Sequence, residues 1–249
     1  MTSHPRIAVI GCGNVGTHIS RAFRQCGLKC ELSSSRDLKR VRCDFDVLIL
    51  AVSDSAIEKV AETLFKQIKG FDGIVVHTSG SVSMEVLAPY FKNYGVFYPL
   101  QTFSRDIPML HLEEVPIFLE ANNEPTFKTL KKLAKEVFLH VYNLDSSVRK
   151  KLHLASVFAC NFVNAMYTAA SEILEAEGLP FDVVKPLIMQ TANKVSVVSP
   201  ALCQTGPAVR GDIEVVKTHI SLLEANPELK EIYTKLTQYI IKKSKAPNT

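Results

Sequence analysis

The stretch that decides the fold is RIAVIGCGNVGTHISRAF, residues 6–23. It runs from an apolar segment of strand type, through Gly11, Gly13 and Gly16, into a segment of helical type. In this context the spacing GxGxxG is typical of a turn that binds the pyrophosphate of a dinucleotide. Gly11 would permit the tight turn, Gly13 would let the backbone approach the phosphates, and Gly16 would let the helix pack on the strand. The alternative interpretation is a structural glycine turn.

The helix predicted over Val15–Cys26 would supply the rest of the phosphate site. The residues at its start, Asn14 and Val15, carry backbone N–H groups that have no partner inside the helix. These groups and the positive end of the helix dipole attract anions. We therefore expect Asn14 and Val15 to contact the cofactor together with the three glycines.

The end of the second strand indicates which dinucleotide is bound. NAD sites usually place an acidic residue about 20 residues after the glycine turn, at the end of this strand. Glu31 lies near that distance but inside the strand, which ends in Ser33, Ser34, Ser35 and Arg36. Hydroxyl groups and a guanidinium suit a 2′-phosphate, so Ser34, Ser35 and Arg36 favour NADP. The alternative is a solvated serine loop with Arg36 as a surface charge.

The chain up to about residue 144 alternates short apolar strands with amphipathic helices. This alternation predicts a doubly wound α/β fold with a parallel sheet covered on both faces. Helices are predicted over stretches such as Val15–Cys26, Ser55–Ile68 and Glu124–Val137. The predicted strands are Arg6–Ile10, Leu28–Leu32, Val47–Val52, Ile74–His77, Gly95–Tyr98, Ile117–Glu120 and His140–Asn143.

Polar residues follow three of these strands. Ligands of open parallel sheets bind outside the carboxyl ends of the strands, so these residues would form a polar rim where a nicotinamide would lie. Each group could also be ordinary loop or helix-cap chemistry. The residues are Ser53 and Asp54; His77, Thr78, Ser79 and Gly80; and Tyr98, Pro99, Gln101 and Thr102. Of these, Ser53, His77, Thr78 and Ser79 are expected to contact the cofactor, together with Val52 at the end of its strand.

The chain from residue 146 onward reads as helical throughout, which predicts a nucleotide-binding domain at 1–145 and an all-helical domain at 146–249. Its first helix is predicted to run for about 30 residues, as far as Gly178 and Pro180. Three shorter helices are expected near 182–196, 209–222 and 227–243. A long apolar helix in so small a domain favours burial against a second subunit, and hence a homodimer.

Two groups in the helical part are candidates for chemistry. His153, Asn161, Asn164 and Thr168 share one predicted stripe of the long helix, where His153 could donate a proton and the asparagines could orient a substrate. They could equally be satisfied polar groups of a core. Later, the loop QTGPAVRGD contains Arg210 and Asp212. This pair could bind a carboxylate substrate, to which Gln101 would also contribute, or could be a structural ion pair.

The composition sets limits on the partners. The 249 residues are 47% hydrophobic and 22% charged, with a net charge of +4, as in a folded soluble protein. Six cysteines show neither a CxxC pair nor zinc spacing, so we expect reduced thiols and no metal site. The first strand is predicted close to the N-terminus. No apolar run is long enough to span a bilayer. The basic tail KKSKAPNT is expected to fray. We expect a cytoplasmic protein with a small-molecule substrate and no nucleic-acid or membrane partner.

The motifs together resemble known families. The stretches IAVIGCGNVGTHI, SSSR, LAVSDSAI and HTSGS resemble the Rossmann domains of pyrroline-5-carboxylate reductases and deazaflavin-dependent NADP reductases. The stretches HLASVFACNFVNAMYTAASEIL and TGPAVRGD are similar to the helical domain of a bacterial family with a domain of unknown function (family 2520), whose members are often provisionally labelled NADP oxidoreductases. The resemblance implies an NADP-binding domain followed by a helical dimerisation domain.

The resemblance leaves the catalytic group open. In related β-hydroxyacid dehydrogenases, the corresponding helix carries a catalytic lysine with an asparagine four residues later. Here Lys150 and Lys151 are followed at that spacing by Leu154 and Ala155, so His153 is the candidate substitute. We expect an NADP-dependent oxidoreductase that passes hydride to or from a small C=N or C=O substrate. The alternatives are a non-catalytic NADPH-binding regulator or sensor, and a structural dimer with a vestigial nucleotide site.

Overall fold

The structure is a computed structural model that describes residues 5–39, 41–104, 107 and 111–244. The last five residues of the basic tail lie outside the described residues. Seven strands form one sheet in the order β2-β1-β3-β4-β5-β6-β7. Each overlaps a strand predicted from the sequence, so the Rossmann-type α/β fold is confirmed. The strands are β1 Ile7–Ile10, β2 Cys30–Ser33, β3 Val47–Leu50, β4 Ile74–His77, β5 Asn93–Pro99, β6 Ile117–Ala121 and β7 Val141–Asn143.

Helices cover both faces of the sheet, which explains the unbroken apolar runs of its central strands. The helices are α1 Asn14–Gln25, α2 Ile57–Gln67 and α3 Glu124–Lys135. Alternate residues of a strand point to opposite faces. Ile7 and Val9 accordingly pack with residues of α1 and α3, whereas Ala8 and Ile10 pack with residues of α2. All four are fully buried, as expected for a parallel strand between two helical layers.

The last two strands differ from the prediction of a wholly parallel sheet. β5 pairs with β6 in antiparallel register, with Pro99 opposite Ile117, and β6 then pairs parallel with β7. The described part of the connection between β5 and β6 contains only a short 3-10 turn, Leu112–Glu114. Without a crossover helix the chain enters β6 beside the end of β5, so β6 runs in the reverse direction.

The helical region begins after β7 and is interrupted where the sequence predicted one long helix. α4, Ser146–Ser156, is followed by a π-helical turn at Val157–Asn161 and then by α5, Phe162–Ala176. A π turn contains an extra residue, so the predicted stripe from His153 to Asn164 does not continue in register through it. The remaining helices are α6 Lys185–Val197, α7 Pro200–Cys203, α8 Pro207–Arg210, α9 Ile213–Leu222 and α10 Pro227–Ser244.

The chain forms two compact units, Met1–Phe162 and Val163–Thr249. The change from strands to helices falls between Asn143 and Ser146, beside the boundary expected from the sequence, whereas the chain divides into the two compact units after Phe162, inside the helical region. None of the six cysteines forms a disulfide. Among the described residues, no helix combines the length and hydrophobicity that crossing a membrane requires.

Candidate active site

The three glycines of the turn after β1 have three different surroundings. Gly11 has a φ of +121°, and a Cβ there would lie 2.1 Å from the carbonyl oxygen of Ala51. A Cβ at Gly16 would lie 1.9 Å from the carbonyl oxygen of Gly11, so this glycine permits the helix to pack on the turn. A Cβ at Gly13 would have no heavy atom within 4 Å. Gly13 therefore faces open space, as a backbone that approaches a ligand must.

The N-terminus of α1 leaves its donors available. Gly13 is the N-cap residue and contributes no side-chain hydrogen bond. The first bond of the helix joins the N–H of Thr17 to the carbonyl of Gly13, so the N–H groups at Asn14, Val15 and Gly16 have no partner within the helix. The side chain of Asn14 is otherwise engaged, because its Nδ2 donates to the carbonyl oxygen of Phe103 at 2.9 Å. Asn14 thus offers a ligand its backbone N–H, while its side-chain amide group holds the segment after β5.

The end of β2 lies beside the glycine turn. The N–H of Gly11 donates to the carbonyl of Ser33 at 2.8 Å, which places the residues that follow Ser33 next to the glycine turn. Ser34 begins a turn in which its hydroxyl accepts from the N–H of Arg36 at 3.2 Å. The guanidinium of exposed Arg36 has no hydrogen bond or ion pair with the described residues. Ser35 lies within the same turn, so a hydroxyl and a guanidinium are available here for an anionic group.

A cavity of about 590 Å³ opens beyond the carboxyl ends of β3, β4 and β5, beside the start of α1. This edge includes the point between β1 and β3 where the strand order reverses, which is where ligands of open α/β sheets bind. Thirteen residues that the sequence proposed for a site or its polar rim line the cavity: Asn14, Val15, Val52, Asp54, Thr78, Ser79, Gly80, Tyr98, Pro99, Gln101, Thr102, His153 and Asn161. Ser53 and His77 belong to the same compact unit and are outside the lining.

His153 lines this cavity, and one of its ring nitrogens is bonded within the protein. Its Nδ1 lies 2.9 Å from the hydroxyl oxygen of Tyr98, and the two rings meet edge to face. Gly80 packs against both rings, since a Cβ there would lie 2.6 Å from Nδ1 of His153 and 2.8 Å from Cζ of Tyr98. Nε2 of His153 has no hydrogen-bond partner among the described residues and is not buried. The ring is therefore held from one side and open to a ligand on the other.

Further polar groups of the lining are fixed by hydrogen bonds. The hydroxyl of Ser81 donates to the Asp54 carboxylate at 2.9 Å. The hydroxyl of Ser79 accepts from the N–H groups of Ser81 and Val82 at 3.1 and 3.0 Å. The hydroxyl of Ser156 donates to the carbonyl of His153 at 2.7 Å. Polar groups held in this way can orient a substrate at little further entropic cost.

His77 differs from the prediction that it contacts the cofactor. Its side chain is fully buried, and both ring nitrogens are bonded within the protein. The N–H of Ser79 donates to Nδ1 at 3.2 Å, and Nε2 lies 3.3 Å from the carbonyl oxygen of Ser83. Burial, together with the nearby Arg149 guanidinium, lowers the pKa of His77 from 6.5 to about 4. His77 is a neutral ring that shapes the loop after β4, and it has no surface left for a ligand.

A buried ion pair holds α4 against the sheet, one helical turn before His153. The guanidinium of Arg149 is fully buried and is paired with the Glu120 carboxylate of β6. It also donates to the carbonyl of Val82 and to the hydroxyl of Ser146. Ser146 in turn donates both its N–H and its hydroxyl to Glu120. These bonds tie α4, β6 and the loop that carries Gly80 into one network.

The other predicted substrate residues lie in the second compact unit. Arg210 and Asp212 form an exposed ion pair there, with Nη2 of the arginine 2.8 Å from Oδ2 of the aspartate. Asn164 lies in α5, where its carbonyl accepts from the hydroxyl of Thr168 at 3.3 Å. Roles for Asn164, Arg210 and Asp212 toward a ligand stay predictions.

Sequence reasoning left Ser81 and Ser156 out of the site, and it placed Asp54, Gly80 and Tyr98 in the polar rim without assigning them a contact. Tyr98 and Gly80 stand in stretches already recognised as polar rims, but their contacts with His153 join segments that are far apart in sequence. Ser156 had a local signal, since it follows His153 by three residues and lies on the same side of a helix.

Residues 115–240 match the protein family described as Domain of unknown function (DUF2520). The match covers half of the chain. The chain belongs to the DUF2520 family. No curated protein sequence matches it. A solved structure of a Bacteroides fragilis protein, provisionally described as an NADP oxidoreductase, is similar over 96% of this chain and 98% of its own, with 36% identity and a TM-score of 0.87.

More distant structures share the fold of this DUF2520 protein. A pyrroline-5-carboxylate reductase from Coxiella burnetii is 16% identical, with a TM-score of 0.56 and 98% of each chain covered. A reductive aminase from Aspergillus terreus, solved with NADPH, is 10% identical, with a TM-score of 0.70, 96% of this chain covered and 94% of its own. Both are oxidoreductases by name, and at these identities the likeness concerns the fold.

Proposed function

We propose that this DUF2520 protein is an NADP-dependent oxidoreductase that passes hydride between the nicotinamide and a small C=N or C=O substrate. The observation that carries the proposal is the position of His153. His153 lines a cavity beside the glycine turn, at the sheet edge where dinucleotides bind, and its Nε2 has no hydrogen-bond partner among the described residues. A titratable ring at that place can exchange a proton with a substrate that gains or loses hydride.

The residues present fit NADP. The open face of Gly13 and the unpartnered N–H groups of α1 can take the pyrophosphate. Ser34, Ser35 and Arg36 can take the 2′-phosphate, because the Arg36 guanidinium is exposed and has no partner among the described residues. Glu31 pairs with Ala8 inside β2, before the strand end where a ribose diol is usually held. Bound NADPH would supply the hydride, while the protein supplies position and a proton.

His153 is the proposed proton donor and Asn161 a group that orients the substrate. Both line the cavity, and Tyr98 and Gly80 fix the histidine ring. Asn164, Arg210 and Asp212 are proposed to contribute from the helical region, with Gln101 from the cavity. A small substrate matches a cavity of about 590 Å³ of which the nicotinamide would occupy part.

We also propose that the helical region joins two copies of the chain. Among the described residues of Val163–Thr249, Thr237 alone is buried. Large apolar side chains are exposed along several of its helices, with exposed fractions of 67% for Leu187, 76% for Leu222 and 60% for Tyr239. A unit with so little core of its own gains stability by burying these faces against a second copy. Sedimentation or light scattering of the purified chain should give the mass of a dimer.

Titration with NADPH and NADH tests the cofactor assignment. We expect NADPH to bind in the micromolar range and more tightly than NADH, with the preference lost in Arg36→Ala. Arg42→Ala is the matched control, because Arg42 is an exposed arginine already paired with Asp44. Equal binding of both dinucleotides by the unmodified chain, or a preference that survives in Arg36→Ala, would contradict the assignment.

Turnover tests the enzymatic part. A panel of small imines, ketones and aldehydes is followed by the loss of NADPH absorbance, with His153→Ala as the second sample. We expect at least a hundred-fold lower rate in His153→Ala at unchanged NADPH affinity, in line with the usual worth of general acid catalysis. Tight NADPH binding without turnover on the whole panel would instead favour the sensing function.

A further inference from the structure

The cavity that His153 lines has an uneven distribution of charge. Asp54 is the one carboxylate among the described residues of its lining, and none of those residues is a lysine or an arginine. The buried Arg149 guanidinium of α4 is paired with the Glu120 carboxylate, so this pair adds little net charge. The formal charge on the cavity wall is therefore negative whenever His153 is neutral.

The Asp54 carboxylate is held at the cavity and is not used by a helix. Asp54 follows β3 and begins a short 3-10 turn that leads into α2. The sequence left open a role as a helix cap, but neither the turn nor α2 has a side-chain hydrogen bond at its N-cap. Oδ2 of Asp54 instead accepts from the hydroxyl of Ser81, which lines the same cavity. Among the described residues the carboxylate has no cationic partner, so its charge is available to a ligand.

The field of Asp54 reaches the pair formed by Tyr98 and His153. Burial, and to a smaller degree the Asp54 carboxylate, raises the pKa of Tyr98. The hydroxyl oxygen of Tyr98 lies 2.9 Å from Nδ1 of His153. Charges interact more strongly in a partly buried cavity than in bulk water. A ligand beside His153 is therefore exposed to the negative charge of Asp54.

We propose that Asp54 is a substrate-binding residue and that the cavity takes substrates with a cationic nitrogen, as a protonated imine before reduction and as an ammonium group after it. This inference rests on the proposed function and favours C=N over C=O. Asp54 and the phosphates of the cofactor would both repel a carboxylate substrate. Arg210 does not reverse this preference, because its charge is met by Asp212 in their ion pair.

The cation forms when the imine takes a proton. The N–H bond of protonated His153 breaks and its electron pair stays on the ring, while the proton bonds to the lone pair of the imine nitrogen. Positive charge thereby moves from the ring to the substrate, where the Asp54 carboxylate stabilises it. Hydride added to the carbon then moves the π electrons to nitrogen and cancels the charge, with NADPH oxidised to NADP⁺. A ketone would instead develop negative charge on its oxygen, which a carboxylate disfavours.

Three six-membered rings of similar size test the charge preference: piperidinium, cyclohexanone and cyclohexanecarboxylate. Their affinities for the full chain are measured at neutral pH by saturation-transfer NMR, with and without saturating NADP⁺. We expect piperidinium to bind about ten-fold more tightly than the other two, or better still. Asp54→Asn keeps the size of the side chain and an acceptor for Ser81 but removes the charge, so this preference should disappear.

Glu58→Gln is the matched control. It removes an exposed carboxylate of α2 that lies outside the cavity lining, and the preference for piperidinium should remain. A preference that survives in Asp54→Asn, or that is lost equally in Glu58→Gln, overturns the proposal. The unmodified chain also tests it without any variant, because cyclohexanone or cyclohexanecarboxylate bound as tightly as piperidinium would overturn it.

A second source of positive charge at this place is the oxidised nicotinamide itself. If that ring is the partner of Asp54, Asp54→Asn should weaken NADP⁺ binding more than NADPH binding and leave piperidinium unchanged, which refutes the proposal. NADPH titration of the unmodified chain tests the cofactor separately. A piperidinium preference without NADPH binding refutes the NADP assignment alone, whereas NADPH binding without the preference refutes the role of Asp54 alone.

Discussion

One added methyl group at Gly13, compared with one at Gly16, separates the binding role of the glycine turn from its structural role. The Cβ of Gly13→Ala would enter open space, and the φ of −78° at this position is accessible to alanine. We expect the free energy of unfolding to change by less than about 1 kcal/mol. The Cβ of Gly16→Ala would lie 1.9 Å from a backbone oxygen that cannot move without opening the turn. For Gly16→Ala we expect the free energy of unfolding to fall by at least about 1–3 kcal/mol.

Ligand binding gives the two variants a second readout. NADPH at a hundred times its Kd stabilises the folded state by about 2.7 kcal/mol. At about 2–4 °C per kcal/mol for a chain of this size, that raises the Tm by about 5–11 °C. In Gly13→Ala the methyl group occupies the space proposed for the pyrophosphate. We expect its Tm without ligand to be near that of the unmodified chain, with a shift of less than about 2 °C on adding NADPH.

The assay is thermal unfolding followed by circular dichroism, with and without NADPH, for the unmodified chain and both variants. The reasoning is refuted if Gly13→Ala keeps the full NADPH shift, because the phosphates would then lie elsewhere. It is also refuted if Gly13→Ala unfolds as early as Gly16→Ala without ligand. In that case the turn would be closed around Gly13, and its open face would have no role in binding.

Three further changes test the surroundings of the site. Gly80→Ala would place a Cβ 2.6 Å from Nδ1 of His153, so thermal unfolding should show a free energy of unfolding lower by about 1–3 kcal/mol. Turnover in this variant should fall more than its affinity for NADPH. Glu120→Gln leaves the buried Arg149 guanidinium without its carboxylate, so urea unfolding should show a free energy of unfolding lower by about 3–5 kcal/mol. The double variant Glu120→Gln/Arg149→Met should recover part of this loss, because it removes the unpaired charge as well. Folding lowers the pKa of His77 from 6.5 to about 4, so between these pH values the unfolded chain binds a proton that the folded chain does not. The free energy of unfolding should therefore fall by up to about 3 kcal/mol as the pH drops from about 6.5 to about 4. An unchanged pH profile in His77→Gln would contradict this last assignment.

The fold could be predicted from the sequence because its signals are local. The glycine turn joins strand and helix within 18 residues, and the apolar runs of the central strands reflect burial on both faces. The direction of β6 was not available in the same way. An apolar run shows that a strand is buried, but only the path of its connection decides whether it runs parallel or antiparallel to its neighbour.

The π turn shows a second limit. Hydrophobic periodicity predicted one continuous helix, and the residues of Val157–Asn161 are as apolar as those on either side. A single extra residue in a helical turn leaves almost no trace in composition. It nevertheless changes which side chains share a face, and Asn161 lines the cavity from within this turn.

The two histidines of the sheet edge show why the site could be predicted only in part. His77 and His153 were both proposed for a ligand, and both lie next to the loop that contains Gly80. What separates them is the number of ring nitrogens that the protein itself uses. A backbone N–H and a carbonyl use both nitrogens of His77, whereas Tyr98 uses one nitrogen of His153 and the other has no partner among the described residues. The partners of His77 are the nearby Ser79 and Ser83, whereas Tyr98 lies far from His153 in sequence. Residue type and spacing show neither set of bonds, so they could identify the edge of the sheet but could not distinguish the structural ring from the one proposed to react.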